Sequence, residues 1–325
     1  MMKKTIFCCI LSVFTLIACK KENGANSADY DKINAIDYKI EIGRFDKDYF
    51  ETDFKDIEQV KQKYPFFFPQ GIEIAELLAK RGDSIWSEVY QEVKKEFPNN
   101  DKFKDTEFLF KAIKFYFPEQ KIPTKLYTLV GDMEKDYAAF YSDSLAFYTL
   151  ETYLGEDHKY YTDFPKYLRP EYNQNQMVQN MADEFAQRVI QPSGDHTLIA
   201  NMVQQGKALY LKDMLLPHIP DNEKICYSPE QYKWCEENEA EIWSFLVENK
   251  HLYESDARLD ARFVNKAPFS KFYLEIDAES PGRVGVYLGW QIVRSYMQNN
   301  DVDLKTMLQT QPRDIFEKSK YKPKK

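Results

Sequence analysis

The sequence has few of the residues and motifs on which the common hydrolases and nucleotide-binding enzymes depend. Histidine occurs only four times in 325 residues, and no two histidines have the HExxH spacing of a zinc peptidase. The chain also has no GxSxG nucleophile elbow, no GxxxxGK[ST] phosphate loop and no GxGxxG dinucleotide fingerprint. The sequence therefore predicts no catalytic residue, no metal site and no cofactor.

A basic surface is also missing. Acidic residues number 52 and basic residues 44, which gives a formal net charge of -8 at pH 7. Proteins that bind nucleic acid draw much of their affinity from lysine and arginine facing the phosphates. Broad binding to anionic lipid headgroups needs a similar surface. The composition argues against a nucleic-acid partner and against a purely electrostatic attachment to membranes.

Cysteine and long apolar runs are scarce after the N-terminus. Beyond residue 19 only Cys226 and Cys235 remain as thiols. In an oxidising compartment they could form one disulfide, but a helix start between them leaves the geometry open. No later stretch approaches the roughly 20 apolar residues that a membrane-spanning helix needs.

The N-terminus, by contrast, carries a targeting signal. A basic start is followed by an apolar, uncharged run that ends with a small residue directly before Cys19. This pattern is typical of a secretory signal peptide, here over residues 1–18. Leu-Ile-Ala-Cys also resembles the lipobox, so Cys19 is predicted to carry a diacylglyceryl anchor. The alternative is an ordinary signal peptide followed by an incidental cysteine.

The rest of the chain is predicted to be a tether and one domain. Residues 19–32 are polar and cannot bury enough apolar surface to fold, which indicates a flexible tether. Residues 33–325 contain no repeats and no long linker, and are predicted to form a single globular domain. Strand patterns occur at 37–42 and within 125–153, among longer helical patterns. The predicted helices cover residues 53–64, 72–80, 83–96, 105–117, 177–190, 197–216, 229–249 and 284–299. The fold class is therefore α+β, mainly helical with a small β-sheet.

Most charged clusters have a structural explanation. Asp183-Glu184 and the acids within 236–239 are predicted to be solvated helix faces. Lys207 and Arg294 are predicted to be buried partners of acids such as Asp213. Four later carboxylates could approach a Ca²⁺ ion, although the ordered spacing of an EF-hand loop is missing. They are Asp256, Asp260, Glu275 and Asp277.

Two apolar features also carry predictions. Gly206 and Gly289 fall inside helix patterns, where glycine costs roughly 1 kcal/mol relative to alanine. Their positions predict a close contact between two helices. The run of aromatic residues over 66–68 is a candidate partner surface if it is exposed, and core if it is buried.

Three segments are more distinctive than the composition. They are Arg44-Phe45-Asp46 running on to Tyr64-Pro65-Phe66-Phe67, the block from Met202 to Leu211 closing at Leu215-Leu216-Pro217, and Pro281-Gly282-Arg283 with the block from Leu288 to Met297. With the lipobox and the stretch over 153–168, they resemble the gliding-motility lipoprotein GldB family over essentially the whole mature chain. The GKxLYLxDxLLP and GWQIVRSYM patterns are specific, whereas RFD alone is weak.

The resemblance implies a cell-envelope lipoprotein needed for gliding over surfaces, in bacteria whose motility adhesins pass through the type IX secretion system. Its implied partners are other gliding-motility or type IX secretion envelope proteins, and the membrane through the lipid anchor. No aspartate follows Cys19 directly, which is compatible with the outer membrane. The resemblance implies no catalysis.

The family also resembles predicted zinc-dependent peptidases of the gluzincin type, in which a helix with HExxH precedes a helix with a glutamate ligand before glycine. In this sequence Gln205 stands directly before Gly206, where the peptidase pattern has its glutamate ligand. The helix over 177–190, which corresponds to the HExxH helix, contains no histidine. Catalytic zinc needs three protein ligands and an open position. A degenerate zincin-like scaffold is therefore implied. The alternatives are an envelope hydrolase or peptidase with an unrecognised site, and a lipoprotein that binds a small ligand.

Overall fold

The structure is a computed structural model that describes residues 27–68 and 73–324. The predicted signal peptide over 1–18 and the predicted lipidation site Cys19 lie outside these residues, so both stay predictions. None of the described helices is long and apolar enough to cross a membrane.

The described residues form fifteen α-helices and four β-strands, joined in part by short 3-10 turns. The helices are α1 (Ser27–Asn34), α2 (Phe45–Glu51), α3 (Ile57–Lys63), α4 (Ile74–Gly82), α5 (Ser84–Glu96), α6 (Lys104–Tyr116), α7 (Gln176–Val189), α8 (Leu198–Leu215), α9 (Asp221–Ile225), α10 (Pro229–Glu237), α11 (Glu239–Glu248), α12 (Ala257–Phe263), α13 (Val284–Asn299), α14 (Leu304–Gln309) and α15 (Pro312–Ser319). The strands are β1 (Glu41–Arg44), β2 (Lys125–Leu129), β3 (Ala139–Tyr141) and β4 (Ala146–Thr149). The predicted α+β class is confirmed.

The strands form one mixed sheet in the order β1-β2-β4-β3. β1, β2 and β4 are parallel, and β3 runs antiparallel to β4. Successive residues of a strand face opposite sides of its sheet. Leu126 of β2 therefore lies in the main core, whereas Tyr127 lies in a smaller aromatic core with Phe45 and Tyr64. The sheet thus separates helices α2 and α3 from the larger helical part of the molecule.

Helices α8 and α13 cross at the centre of the main core. Both are buried over most of their length, because apolar residues occupy nearly every face. Gly206 of α8 and Gly289 of α13 face each other where the helices meet. A Cβ atom on either residue would lie less than 3.0 Å from backbone atoms of the other helix. The predicted close helix contact is confirmed.

A buried ion-pair network joins the same two helices to α9. Arg294 donates to Asp213 from Nε at 2.7 Å and from Nη2 at 2.8 Å. Lys224 donates to the same carboxylate at 2.9 Å, as does the indole N–H of Trp290. Asp221 pairs with both cations, at 2.8 Å from Arg294 and 3.2 Å from Lys224. The predicted pairing of Arg294 with Asp213 is confirmed, and two cations balance two carboxylates.

The ion-pair prediction is wrong for Lys207. Its fully buried ammonium donates to the main-chain carbonyls of Leu308 and Thr310, at the end of α14. Asp213 lies six residues further along α8, about 240° around the helix axis, so the two side chains point in different directions. Burial lowers the pKa of Lys207 to about 8. Lys207 instead satisfies carbonyls that the end of a helix leaves unpaired.

Part of the predicted tether is helical. Residues 27–32 of the segment 19–32 belong to α1. Tyr30 stacks on Phe108 of α6 with ring centroids 5.0 Å apart, and Ile33 is fully buried. Two apolar side chains are enough to attach α1 to the domain, although the composition of the segment is polar.

The predicted helix over 229–249 is two helices, α10 and α11. They separate at Asn238, whose backbone leaves the helical conformation. The break turns Glu239 into the core, where its carboxylate accepts hydrogen bonds from Tyr287 at 3.0 Å and Tyr321 at 2.9 Å. The prediction of a solvated face is therefore wrong for Glu239.

The aromatic run after α3 is divided between core and surface. Phe68 is buried, and Phe67 stacks on Phe45 with ring centroids 5.0 Å apart. Phe66 is 69% exposed. The run is therefore mainly core, and Phe66 is its solvent-facing member.

The RFD segment spans the end of β1 and the start of α2, and it has a structural role. Asp46 is buried and accepts two hydrogen bonds from Arg44, at 2.9 and 2.7 Å. Thr128 of β2 donates to the same carboxylate. Arg44 also donates to the Phe97 carbonyl at 3.0 Å. The segment thus connects the first strand to the second strand and to the end of α5.

Glu151 is a buried carboxyl group just after β4. Its Oε1 accepts a hydrogen bond from the backbone N–H of Met133 at 3.2 Å, whereas its Oε2 has no partner among the described residues. Burial raises the pKa of Glu151 to about 7, although hydrogen bonds from backbone N–H groups, including that of Met133, act to lower it. Because the folded pKa is above the unfolded value, the neutral form is favoured by folding. Its stabilising contribution is complete below the unfolded pKa and is lost as pH rises through the folded pKa.

We therefore expect Glu151→Gln to change the pH dependence of stability. Between about pH 5 and about pH 8, wild type should lose roughly 2–3 kcal/mol relative to the variant, because only wild type has to ionise this buried group. Urea unfolding at several pH values measures the difference. Glu248→Gln, at an exposed position, is the control and should track wild type. Parallel profiles for Glu151→Gln and wild type would contradict the prediction.

Candidate functional site

A groove runs between α7 and α8 and continues past the start of α13. It consists of three adjoining cavities of about 500, 640 and 380 Å³. Glu171 and Lys266 line all three cavities. These volumes are within the range of about 300–1,000 Å³ that ligand sites occupy. The groove is therefore large enough to bind a ligand.

Amide side chains line much of this groove. They come from α7, α8, α9 and α10 and from the segment that precedes α7. The amide-bearing residues are Asn173, Asn175, Gln176, Asn180, Gln187, Gln204, Gln205, Asn222 and Gln231. Eight of these nine amides, all except Gln205, already make hydrogen bonds within the described part of the protein. Because an amide has two donor and two acceptor positions, the walls keep unused positions for the polar groups of a ligand.

Glu171 stands at the centre of the groove. Its carboxylate accepts a hydrogen bond from Lys266 at 2.7 Å, and its main-chain carbonyl accepts one from Lys135 at 2.7 Å. The Lys135 ammonium lies 4.7 Å from the ring centre of Tyr153 and 5.2 Å from that of Tyr172. Burial lowers the pKa of Lys135 to about 8, although Glu171 opposes the shift. The two lysines hold Glu171 in place and offset its charge.

Arg283 lines the two larger cavities and has an unusual backbone. Its φ is 66°, in the left-handed region, directly before α13 begins. Gly282 precedes it, and a Cβ atom there would collide with the Ala267 carbonyl. The Arg283 side chain is half-buried and donates to the Ile225 carbonyl at 3.3 Å. The turn therefore directs a guanidinium group into the groove.

Cys226 also lines the groove but is not suited to nucleophilic chemistry. Burial raises the pKa of its thiol to about 11, and the thiolate is the reactive form of cysteine. Burial also raises the pKa of Cys235. Both residues are free thiols, so the disulfide that the sequence left open is not formed in the structure.

The two helices named by the peptidase resemblance both face the groove. Gln205 of α8 is exposed in it, and α7 contains no histidine. Asp183 of α7, predicted to be on a solvated face, accepts a hydrogen bond from Lys212 of α8 at 2.9 Å. Burial and the neighbouring Asp183 raise the pKa of half-buried Glu184. This acidic pair is therefore part of the groove wall.

Three of the four carboxylates considered for Ca²⁺ accept hydrogen bonds from protein donors. Asp256 caps α12, and Asp260 accepts from the Asn201 side chain at 2.9 and 3.0 Å. Asp277 accepts from the backbone N–H groups of Phe272 and Tyr273. Within the described part of the chain, no group of three or more His, Cys, Asp or Glu residues is placed to hold a metal ion.

A comparison with known protein families decides the identity of the chain. The model of the family described as gliding motility protein GldB matches residues 26–323. The chain belongs to this family. The GldB family is linked to gliding motility and consists of lipoproteins, which indicates a membrane-anchored protein of the cell envelope. No curated protein and no solved structure matches the chain.

The family match confirms the resemblance carried by the three sequence segments. The kinship of GldB proteins to zinc peptidases stays a prediction. Sequence reasoning noted the turn at 281–282 but missed Arg283 as a groove residue. The sequence signal that could have pointed to Arg283 is its position between a Pro-Gly turn and a helix. This position does not give the direction of the side chain, which depends on contacts with segments distant in sequence.

Proposed function

We propose that this GldB-family chain is an outer-membrane lipoprotein that supports assembly or stability of the gliding and type IX secretion machinery through protein contacts, without catalysis. The observation that carries the proposal is the family match over residues 26–323. Cys19 lies shortly before this segment, and stable anchoring by lipid requires more than one acyl chain. A diacylglyceryl group on Cys19 would hold the domain at the membrane surface.

Further support comes from the motif residues that distinguish this sequence. Gly206 and Gly289 allow α8 and α13 to meet, Asp213 and Arg294 pair in the core, and Lys207 binds the end of α14. All five therefore have structural roles. This arrangement favours a role for these motif residues in the fold rather than in catalysis.

The test is deletion of the gene in its own bacterium, followed by return of wild-type, Cys19→Ala and Cys9→Ala copies. Surface spreading and secretion of a type IX cargo protein are scored together. We expect the deletion to impair both. Wild type and Cys9→Ala should restore both, whereas Cys19→Ala should restore neither, because it cannot be lipidated. Membrane fractionation and the mass of the N-terminal peptide establish where the chain is and whether it carries lipid.

Two results would count against the proposal. Normal spreading and normal secretion in the deletion strain would mean that the machinery does not need this chain. Full rescue by unlipidated Cys19→Ala would show that the anchor is dispensable. Cys9→Ala is the matched control because it removes a thiol of the predicted signal peptide without removing the predicted lipidation site.

A further inference from the structure

We infer that the groove between α7 and α8 binds an extended peptide segment of a partner protein, and that Arg283 receives a carboxylate of that peptide. The inference rests on the proposed function, because it names the surface and the chemistry of one protein contact. It is carried by the conformation of Arg283, by its unpaired charge and by the amide-rich walls of the groove.

The backbone of Arg283 is held in a conformation that arginine rarely adopts. A φ of 66° falls in the left-handed region, where residues other than Gly, Asn and Asp are uncommon. The surrounding turn enforces it, because Gly282 packs against Ala267 and its carbonyl accepts from the buried Tyr227 hydroxyl. Strained conformations that are held by their surroundings concentrate at binding sites. The strain here directs the side chain into the groove.

Most of the N–H donors of the Arg283 guanidinium group have no acceptor among the described residues. A guanidinium group carries five N–H donors, and the hydrogen bond of Arg283 goes to one carbonyl at 3.3 Å. Within the described residues Arg283 has no ion-pair partner, whereas Arg44 and Arg294 each make two hydrogen bonds to a carboxylate. The group that best fits a free guanidinium fork is a carboxylate bound through two parallel hydrogen bonds.

Glu156 and Glu223 line the largest cavity together with Arg283, but among the described residues no carboxylate of the groove forms an ion pair with Arg283. Glu171 is the acid shared by all three cavities, and it is paired with Lys266 at 2.7 Å. Asp183 is likewise paired with Lys212 at 2.9 Å. Arg283 is therefore a cation in a groove whose central acid already has a partner, and a ligand carboxylate would neutralise it.

The remaining walls fit a peptide chain. An extended peptide presents an N–H and a C=O at nearly every residue, and the amide side chains of the groove can bind both. A lipid surface is a poorer fit, because binding to anionic headgroups needs a broad basic face. The groove is instead concave, and Asp183 and Glu184 line one of its ends. The shape and the donors together favour a peptide over a membrane.

The experiment uses the full-length lipidated chain in detergent on an array of random peptides of about ten residues with amidated C-termini. Wild type is compared with Arg283→Asn, because asparagine tolerates a positive φ and lacks the charge. Arg258→Asn is the matched control, since the Arg258 side chain is 88% exposed and lies on α12 outside the groove. Circular dichroism verifies that all three proteins are folded.

We expect the peptides bound by wild type to be enriched in Asp and Glu. For one selected peptide, changing its acids to amides should weaken binding by about tenfold or more, as loss of a paired, charge-assisted contact would. Arg283→Asn should lose the enrichment and the tenfold preference, and Arg258→Asn should keep both. Inorganic phosphate and vesicles containing phosphatidylglycerol should not displace the peptide.

Three results would overturn the inference: no acidic enrichment with wild type, unchanged preference in Arg283→Asn, or displacement by vesicles. The outcome is separable from that of the proposed function. A deletion strain with normal spreading alongside selective acidic-peptide binding would refute the proposed function and leave the groove assignment standing. Impaired spreading in the deletion strain together with no preference for acidic peptides would support the proposed function and refute the groove assignment.

Discussion

Gly289→Ala is expected to destabilise the protein by about 3 kcal/mol or more, because it overpacks a contact between two buried helices. A Cβ atom at this position would lie less than 3.0 Å from the carbonyl carbon and oxygen of Met202. These are backbone atoms of α8, so no side-chain rotation can relieve the collision. In an ordinary helix the same change stabilises by roughly 1 kcal/mol. The sign of the effect therefore tests the close contact directly.

Urea unfolding followed by tryptophan fluorescence measures this effect in the purified chain. The control is Gly82→Ala at the end of α4, where an added Cβ atom would meet nothing within 4 Å. Gly206→Ala should be as damaging as Gly289→Ala, because its Cβ would meet the Gly289 backbone. The double variant should cost less than the sum, since both changes separate the same two helices. Wild-type stability in Gly289→Ala would contradict the packing.

The long periodic elements of this fold could be predicted because local pattern and tertiary burial agree. The predicted helices over 105–117, 197–216 and 284–299 match α6, α8 and α13 to within one residue at each end. Two of these are the helices on which the core is built. Their glycines were predictable as a close contact, because helix interiors rarely contain glycine without a packing reason.

The errors arise where one or two side chains override composition. The polar segment ending at residue 32 is partly helical, because Tyr30 stacks on Phe108 of α6 and Ile33 is buried in the main core. The helix over 229–249 is divided at Asn238, and Glu239, directly after the break, faces the core and accepts hydrogen bonds from two tyrosines. The short helices α9, α12, α14 and α15 are too brief for periodicity to distinguish them from loops.

The groove could not be predicted from the sequence, because its walls come from segments far apart in the chain. Glu171, Gln205, Cys226 and Arg283 meet only after α7, α8 and α13 have packed together. The peptidase resemblance singled out Gln205, whereas the acids of α7 were predicted to lie on a solvated helix face. The sequence could not place Arg283 in the same space, because the direction of its side chain depends on contacts between segments distant in the sequence.

Asp213→Asn is expected to be the second strongly destabilising substitution, at about 3–5 kcal/mol, because it leaves buried cations without their counter-charge. The Asp213 carboxylate accepts hydrogen bonds from Arg294, Lys224 and Trp290. An asparagine in its place keeps the shape, but it removes one negative charge and turns an N–H group toward these donors. Asp221 alone then faces two buried cations.

Two ion pairs of similar length but different burial show which of the two properties decides the stability cost of losing the carboxylate. Asp213 pairs with Lys224 at 2.9 Å and Glu41 pairs with Lys125 at 3.0 Å, but the Asp213 side chain is 1% exposed and that of Glu41 is 66% exposed. Glu41→Gln should therefore cost far less than Asp213→Asn, because solvent screens an exposed ion pair. Urea unfolding of both variants gives the comparison. Equal losses would mean that burial does not decide the cost.

Charge balance within the network gives a sharper test than either single variant. Arg294→Met alone should also destabilise, because it leaves Asp213 and Asp221 facing only Lys224. Combining Asp213→Asn with Arg294→Met restores one carboxylate opposite one cation, so the double variant should lose clearly less than the sum of the two single losses. Additive losses would mean that the two residues act independently. The network would then be a set of separate hydrogen bonds rather than a balanced group of charges.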